Sequence, residues 1–366
     1  MSDTLLWLQL VQLPLTRLQK RKLIERFGSV STLFNNDEAW QFVTDYCRKH
    51  ERPLLAKEEY CARADQIAEQ CEQFGWQILT KEHPEFPERL RTIPDPPLLL
   101  FACGDPMAVS EPQIALVGSR KATPLGIKVA ERFAKHLSDW GVGVVSGLAL
   151  GIDSAAHLGA LQGPTATTAV LANGPGKIYP HRNRALAKRL VEQGGLLLTE
   201  NPPAASLDAW RFPERNRLIA GLALGTLVVE ADLKSGSLVT ARLALSQGAE
   251  VFAVPGALSN PQARGCHQLI KQGAVLVESP DDIINVLHQP LRQLCSGSDD
   301  SDTSSSTKVA ASVKDPILRL LSSEDLSFDE LIEMSGLDVA QLQVELAKHE
   351  LTGKLVRRAG RYFCSS

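Results

Sequence analysis

Between about residues 97 and 288 the chain switches repeatedly between two textures of apolar spacing. Short runs of Val, Leu and Ala, apolar at consecutive positions, alternate with longer stretches in which apolar residues recur at every third or fourth place. The runs at 98–102, 114–117, 142–146, 168–172, 196–199, 226–230, 250–254 and 274–277 predict strands. Apolar residues on both sides of a strand mean that both of its faces are covered. The spaced stretches, such as GIKVAERFAKHLSDWG and SLVTARLALSQG, predict helices. Strand–helix alternation of this kind predicts an α/β core, a parallel sheet with helices on both faces.

The flanks have other patterns. Residues 1–80 read as helical, with apolar residues at helical spacing in LLWLQLVQLPLTRLQKRKLIERFGSVSTLF, broken at Pro14 and at Phe27-Gly28-Ser29. A hairpin that grips DNA usually brings its backbone close to phosphate through glycines, but this turn is Pro14-Leu15-Thr16. A packing or protein-contact module is therefore the preferred reading over a DNA-binding one. The proline-rich HPEFPERLRTIPDPPLLLFACG (83–104) leads into the core. After it, SGSDDSDTSSS (296–306) has the small, polar composition of a flexible linker. VKDPILRLLS, SFDELIEMSG and DVAQLQVELAKHELTG then predict three short helices, and KLVRRAGRYF a hairpin, the order of a winged helix. The expected division is 1–82 helical, 83–290 core, 291–312 linker and 313–366 winged-helix-like.

Composition narrows the function without fixing it. A chain of 366 residues with a net charge of −3 has no global basic field, so a polyanion site must be a local patch. Seven cysteines occur with no C-x-x-C pair, which speaks against a zinc or redox motif and for a reduced compartment. Asp3, Gln9 and Gln12 interrupt the leucine-rich start, and there is no basic segment or run long enough for a membrane span. A cytoplasmic protein is expected.

Ligands of parallel sheets sit beyond the carboxyl ends of the strands. There the chain carries Gly118-Ser119-Arg120; then Gly147; then Arg182, Asn183 and Arg184; then Arg211, Phe212, Arg215, Asn216 and Arg217; then Lys234 with Ser235-Gly236-Ser237. Singly these are turn glycines and surface cations. Together they make a basic rim with open backbone donors, suited to phosphates. The full G-x-G-x-x-G fingerprint of a dinucleotide site is missing, and Asp139, at the spacing of a ribose-binding acid, falls at a helix end. A strand of DNA or RNA would want spaced cations and a stacking ring. Phe212 offers one, with packing beneath the next helix as an equal alternative; for Tyr179 packing is preferred. Asp153 and His157 lie four apart on one helix, yet serve as readily as a cap and a core histidine. No Ser–His–Asp set with obvious roles and no metal-ligand cluster stands out, and no cofactor is expected.

VGSR (117–120), SGLALGIDSAAH (146–157), FPERNRLIAGLALGTLVVEA (212–231), SGSLVTARLALSQGAEVFAVPG (235–256) and GCHQLIKQGA (265–274) strongly resemble the DNA-processing protein A family, DprA or Smf. The resemblance implies an extended Rossmann core between a helical domain and a winged-helix-like domain. It also implies a protein without known catalysis. Such a protein binds single-stranded DNA, forms a homodimer through the core and loads RecA onto DNA taken up in natural transformation, in exchange for a single-strand-binding protein. Carried over, the DNA pocket comprises Arg120, the loop after Tyr179-Pro180 and the segment Phe212 to Arg217. The sequence departs from the family at His181 and Ala209, where lysines are common, and at Leu150, where an arginine is. Arg182, Arg184 and Arg211 stand next to the missing charges. The competing expectation is a nucleotide-acting enzyme of phosphoribohydrolase type, but KSGSLVTAR lacks the acid that such a loop carries in the first turn of its helix.

Overall fold

The computed structural model describes residues 3–203 and 205–287, and in the C-terminal part 326–327, 331–332, 342, 346, 355–358 and 361–364. Five helices open the chain: α1 (Asp3–Gln12), α2 (Arg17–Phe27), α3 (Val30–Asn35), α4 (Asp37–Lys49) and α5 (Lys57–Gln73). Their boundaries follow from capping chemistry. Thr16 closes a capping box with Gln19 at the start of α2, Ser29 caps α3 and Asn36 caps α4. Their apolar faces do not form a separate core. Trp7, Leu10, Leu33 and Phe34 join one buried cluster with Leu99, Phe101, Ala169 and Leu197 of the sheet.

The core then alternates as β1 (Gln77–Thr80), α6 (Glu88–Thr92), β2 (Leu99–Gly104), β3 (Gln113–Val117), α7 (Pro124–Asp139), β4 (Gly143–Ser146), α8 (Ile152–Ala160), β5 (Thr167–Val170), α9 (Arg184–Glu192), β6 (Leu196–Thr199), α10 (Arg211–Leu222), β7 (Gly225–Val228), α11 (Ser237–Ser246), β8 (Glu250–Ala253), α12 (Arg264–Lys271) and β9 (Val275–Leu276). The nine strands form one sheet in the order β1-β2-β6-β5-β4-β3-β7-β8-β9. All eight expected strands are present, and β3 to β7 are buried along their whole length.

Two features differ from the all-parallel expectation. β1 is an added edge strand, antiparallel to β2, inside the segment read as helical. β2 itself runs antiparallel to β6, with Gly104 opposite Leu196. Connection length explains the second. Only residues 105–112 separate β2 from β3, too few for the long crossover a parallel pair requires. With β2 reversed, Gly104 lies beside the first residue of β6, at the end of the sheet from which β3 also starts, and a short link suffices.

Strand order also locates the site. From β3 the chain adds β4, β5 and β6 on one side, then returns to place β7 on the other side of β3. The reversal opens a crevice beyond the carboxyl ends of β3 and β7, where open α/β sheets take their ligands.

Residues 1–299 form one compact unit and 300–366 a second. In the second unit β10 (Leu326–Ser327), β11 (Leu355–Arg358) and β12 (Arg361–Cys364) make an antiparallel sheet in the order β10-β12-β11, and Leu331, Leu342, Leu346, Leu355 and Tyr362 are buried. The expected linker and most of the three expected helices lie outside the described residues. No helix among the described residues is long and apolar enough to cross a membrane.

Candidate nucleic-acid interface

A cleft of about 760 Å³ lies at the crevice. Its walls are the turn after β3, the N-terminal end of α10 and the loop from β7 into α11. Ten of the sixteen expected residues line it: Gly118, Ser119, Arg120, Phe212, Arg215, Asn216, Lys234, Ser235, Gly236 and Ser237. The turn is held from below. Ser119 donates its N–H to the Glu230 carbonyl (2.7 Å), and its own carbonyl accepts from Ile152 N–H (3.2 Å). Gly151 packs on the same turn, at φ +80°, where a Cβ would lie 2.3 Å from the Ser119 oxygen. The turn is thus fixed while Arg120 and Lys121 project, exposed, from it.

The usual anion position of such folds is already filled. Glu230 is buried at the N-terminal end of α7. There its carboxylate accepts from Thr123 N–H (2.8 Å), the Thr123 hydroxyl (2.7 Å) and Asn260 Nδ2 (3.3 Å). A carboxylate is what a helix N-terminus favours, so α7 is satisfied from within. Because Glu230 is engaged there, it forms no ion pair with Arg120 among the described residues.

Arg120 instead has its guanidinium carbon 5.1 Å from the centre of the Phe212 ring, and Phe212 meets Tyr179 edge-on with centroids 5.8 Å apart. Phe212 is half-buried and Tyr179 is 41% exposed. The two rings therefore face the cleft rather than being lost beneath a helix. With Lys121 and Lys234 exposed at the rim, cations and aromatic faces share one surface.

Arg215 is a floor residue rather than a rim one. It is 7% exposed and donates to the Gly147 carbonyl (2.8 Å) and to the Val170 carbonyl, binding the ends of β4 and β5 together. Burial lowers its pKa to about 10, with the charge of Asp153 acting in the opposite direction. Asp153 accepts from Gly147 N–H (3.2 Å) and Ala149 N–H (3.3 Å), and burial raises its pKa. Gly147 lies against this pair, and a Cβ there would stand 2.5–2.7 Å from the guanidinium.

The other expected residues are placed elsewhere. Gly147 is buried behind the floor. Asn183 is also buried, tying down the 148–154 loop through Leu148 O (2.8 Å), Ala149 O (3.2 Å) and Ser154 Oγ (2.8 Å). Arg182 and Arg184 are exposed at the start of α9 and do not line the cleft. Arg211 and Arg217 lie on the opposite side of α10. Arg211 stacks on Trp210 (4.5 Å) and bonds Asn201, whereas Arg217 pairs with Glu200 and Asp95. Arg17 of α2 joins that group, contacting Asp95 (2.7 Å), Glu200 (3.1 Å) and Glu214 (3.1 Å), so these charges fasten the helical region to the core. Sequence reading passed over Lys121, Thr240 and Gln262, which also line the cleft. Only Lys121 carried a signal, its place next to Arg120 in the turn.

His157 is a core residue. The Thr167 hydroxyl donates to the Val144 carbonyl (2.7 Å), so it accepts from His157 Nδ1 (2.9 Å), which carries the proton. Burial pushes the imidazole pKa down to about 3. Asp139 pairs with Lys135 at the far end of α7.

The family model of DNA recombination-mediator protein A matches residues 77–288, and that of the DprA winged helix domain matches residues 301–361. Protein Smf of Escherichia coli (strain K12) is 40% identical over 291 residues, covering 80% of this chain and 78% of that protein. The DNA processing protein DprA of Bacillus subtilis (strain 168) is 43% identical over 204 residues, 56% of this chain and 68% of that one. Among solved structures, DNA processing protein A from Streptococcus pneumoniae matches with a TM-score of 0.60 at 33% identity, covering 76% of this chain and 95% of that one. DNA processing protein A from Helicobacter pylori, solved for its single-stranded DNA binding mode, matches at 0.53 and 29% identity, covering 59% and 96%.

Proposed function

Starting from a chain that belongs to the DNA recombination-mediator protein A family, we propose that it binds single-stranded DNA in the β3/β7 cleft and works as a non-enzymatic recombination mediator. The observation that carries this reading is the shared surface of Arg120, Phe212 and Tyr179, with Lys121 and Lys234 at its rim. Spaced cations neutralise successive phosphates, and the rings stack on bases of any identity. In this reading the cytoplasmic protein holds the strand for RecA and displaces a single-strand-binding protein. Homodimerisation through the core sets two clefts together. Support for the dimer comes from Leu276 on the edge strand β9, which is 45% exposed and offers apolar surface to a second copy. The relative from Helicobacter pylori, described by its single-stranded DNA binding mode, supports the choice of ligand.

Enzymatic action on a nucleotide is less well supported, because Glu230 occupies the N-terminus of α7 where a nucleotide phosphate would sit. Titrating a labelled oligo-dT and, separately, labelled adenine nucleotides separates the two readings. The mediator reading expects tight, sequence-blind binding of the oligonucleotide alone. Log affinity should fall with log salt by about 0.7 for each phosphate neutralised. Nucleotide binding that ignores salt and excludes the oligonucleotide would overturn it.

A further inference from the structure

Helix α2 carries five cations, Arg17, Lys20, Arg21, Lys22 and Arg26, against a single acid, Glu25. Three of them are turned toward the protein's own groups. Arg17 enters the carboxylate group at the core, Lys20 is buried and donates to the Val11 carbonyl (2.6 Å), and Arg21 reaches the Pro94 carbonyl (3.5 Å). Lys22 and Arg26 lie one helical turn apart, and among the described residues neither has a carboxylate partner. Both border a groove of about 480 Å³ between α2 and α4. Its apolar walls include Leu15, Leu23, Phe42 and Val43, and Leu18 stands at its mouth 51% exposed. The Arg26 guanidinium lies over the Phe42 ring, 4.2 Å from its centre, which holds one charge at the apolar surface.

We propose that this groove docks an acidic peptide segment of a partner protein, whose apolar side chain fills the floor while neighbouring carboxylates meet Lys22 and Arg26. Charge complementarity selects the occupant. The protein as a whole is acidic, at −3, so an unpaired basic rim around an apolar floor is a local feature and not part of a general field. The volume suits anchor side chains, and an apolar centre inside a charged rim is the usual anatomy of a peptide-binding groove. Nucleic acid fits less well. Leu15, Leu23, Phe42 and Val43 offer a phosphate no donor, and at the start of α2 the Thr16 hydroxyl already takes the Gln19 N–H (3.3 Å). Asp45, the acid of α4 nearest the groove in sequence, is engaged by Arg48 (3.1 Å) and Gln41 (3.0 Å).

The test uses the full chain and a labelled peptide of three aspartates followed by two leucines and a phenylalanine, with anisotropy as the readout. Saturable binding is expected, weakened about tenfold or more by Lys22→Glu and by Leu18→Glu, and equally by replacing the aspartates with serine or the apolar residues with glycine. Both substituted residues are surface-placed, Leu18 at 51% exposure, so folding is checked by melting and oligo-dT affinity should be unchanged. Peptide binding that survives both substitutions overturns the proposal. So does binding indifferent to the apolar residues, which would be charge alone. Displacement of the peptide by oligo-dT, with loss of oligo-dT binding in Lys22→Glu, would make the groove a nucleic-acid site instead.

Discussion

Arg120→Ala separates a ligand-gripping side chain from a brace. Arg120 is exposed, its backbone turn is held by Ser119, and it has no ion pair with Glu230 among the described residues. Among the described residues its charge favours ionised Asp153 and opposes ionised Arg215, both buried, and its guanidinium lies on the Phe212 ring at 5.1 Å. An exposed contact of that kind contributes about 0.5–1 kcal/mol, which bounds the loss of stability. If the guanidinium holds a phosphate, its removal costs about 1–3 kcal/mol of affinity, roughly 5- to 150-fold. The charge also raises the local potential, so the salt slope should drop by about 0.7 for one phosphate lost. Arg120→Lys keeps the charge but not the paired, planar hydrogen bonds, and should recover only part of the loss. Fluorescence titration of labelled oligo-dT at several salt concentrations, with melting curves alongside, measures every term. The reasoning fails if folded Arg120→Ala binds like the wild type. It also fails if the affinity loss is matched by an equal loss of stability, because Arg120 would then be bracing the rim.

Phe212→Leu retains bulk but removes the aromatic face. It should weaken oligo-dT binding by about 1–3 kcal/mol per stacked base while abasic oligonucleotide binding stays level, and an equal loss for both ligands would contradict stacking. Gly147→Ala places a methyl 2.5–2.7 Å from the buried Arg215 guanidinium. Its melting point should fall by the equivalent of about 1–3 kcal/mol, and an unchanged melting point would show that Arg215 yields freely. His157 titrates near 3 when folded and near 6.5 when unfolded, so between these values the unfolded state binds the extra proton. Stability is therefore complete above about pH 6.5 and declines by about 1.4 kcal/mol per pH unit below it. Chemical denaturation of wild type and His157→Gln between pH 7 and 4.5 tests this, since the carboxylates common to both cancel, and a flat difference would contradict the assignment.

The parallel core was legible because its strands are buried on both faces, so each reads as an unbroken apolar run. β1 was not, because QILT is four residues long, polar at both ends and exposed at Gln77. The reversal of β2 has no local signal at all; it follows from the shortness of 105–112 and the sheet order. At the site, Arg120 was legible from its place in a turn after a strand. The arginines at 211, 215 and 217 are close in sequence but belong to α10, where each step along the chain turns the side chain by about 100°. Phe212, Arg215, Asn216 and Ile219 consequently face the cleft. Arg211, Glu214 and Arg217 face the junction with the helical region. A cluster of like charges in sequence was divided by helical phase into a ligand face and a structural one.

Glu230 explains why a fold of nucleotide-binding type would serve a polymer. In such folds the first helix offers its N-terminus to a phosphate, and the approach requires space beside a glycine. Here Gly126 is the close neighbour, and the Glu230 carboxylate lies 2.4–2.9 Å from where its Cβ would be. The space is taken by the protein's own anion, which would also repel a second one. In the proposed reading phosphate recognition moves to Arg120 and Lys121 of the turn after β3 and to Lys234 of the loop after β7, all open to solvent. A mononucleotide has too few phosphates spread over too small a span to use separated cations. A single strand of DNA presents a charge at each nucleotide and a base beside each charge, which suits a rim where cations alternate with Phe212 and Tyr179. In the proposed reading the bases stay unread at their hydrogen-bonding edges, as sequence-blind binding requires.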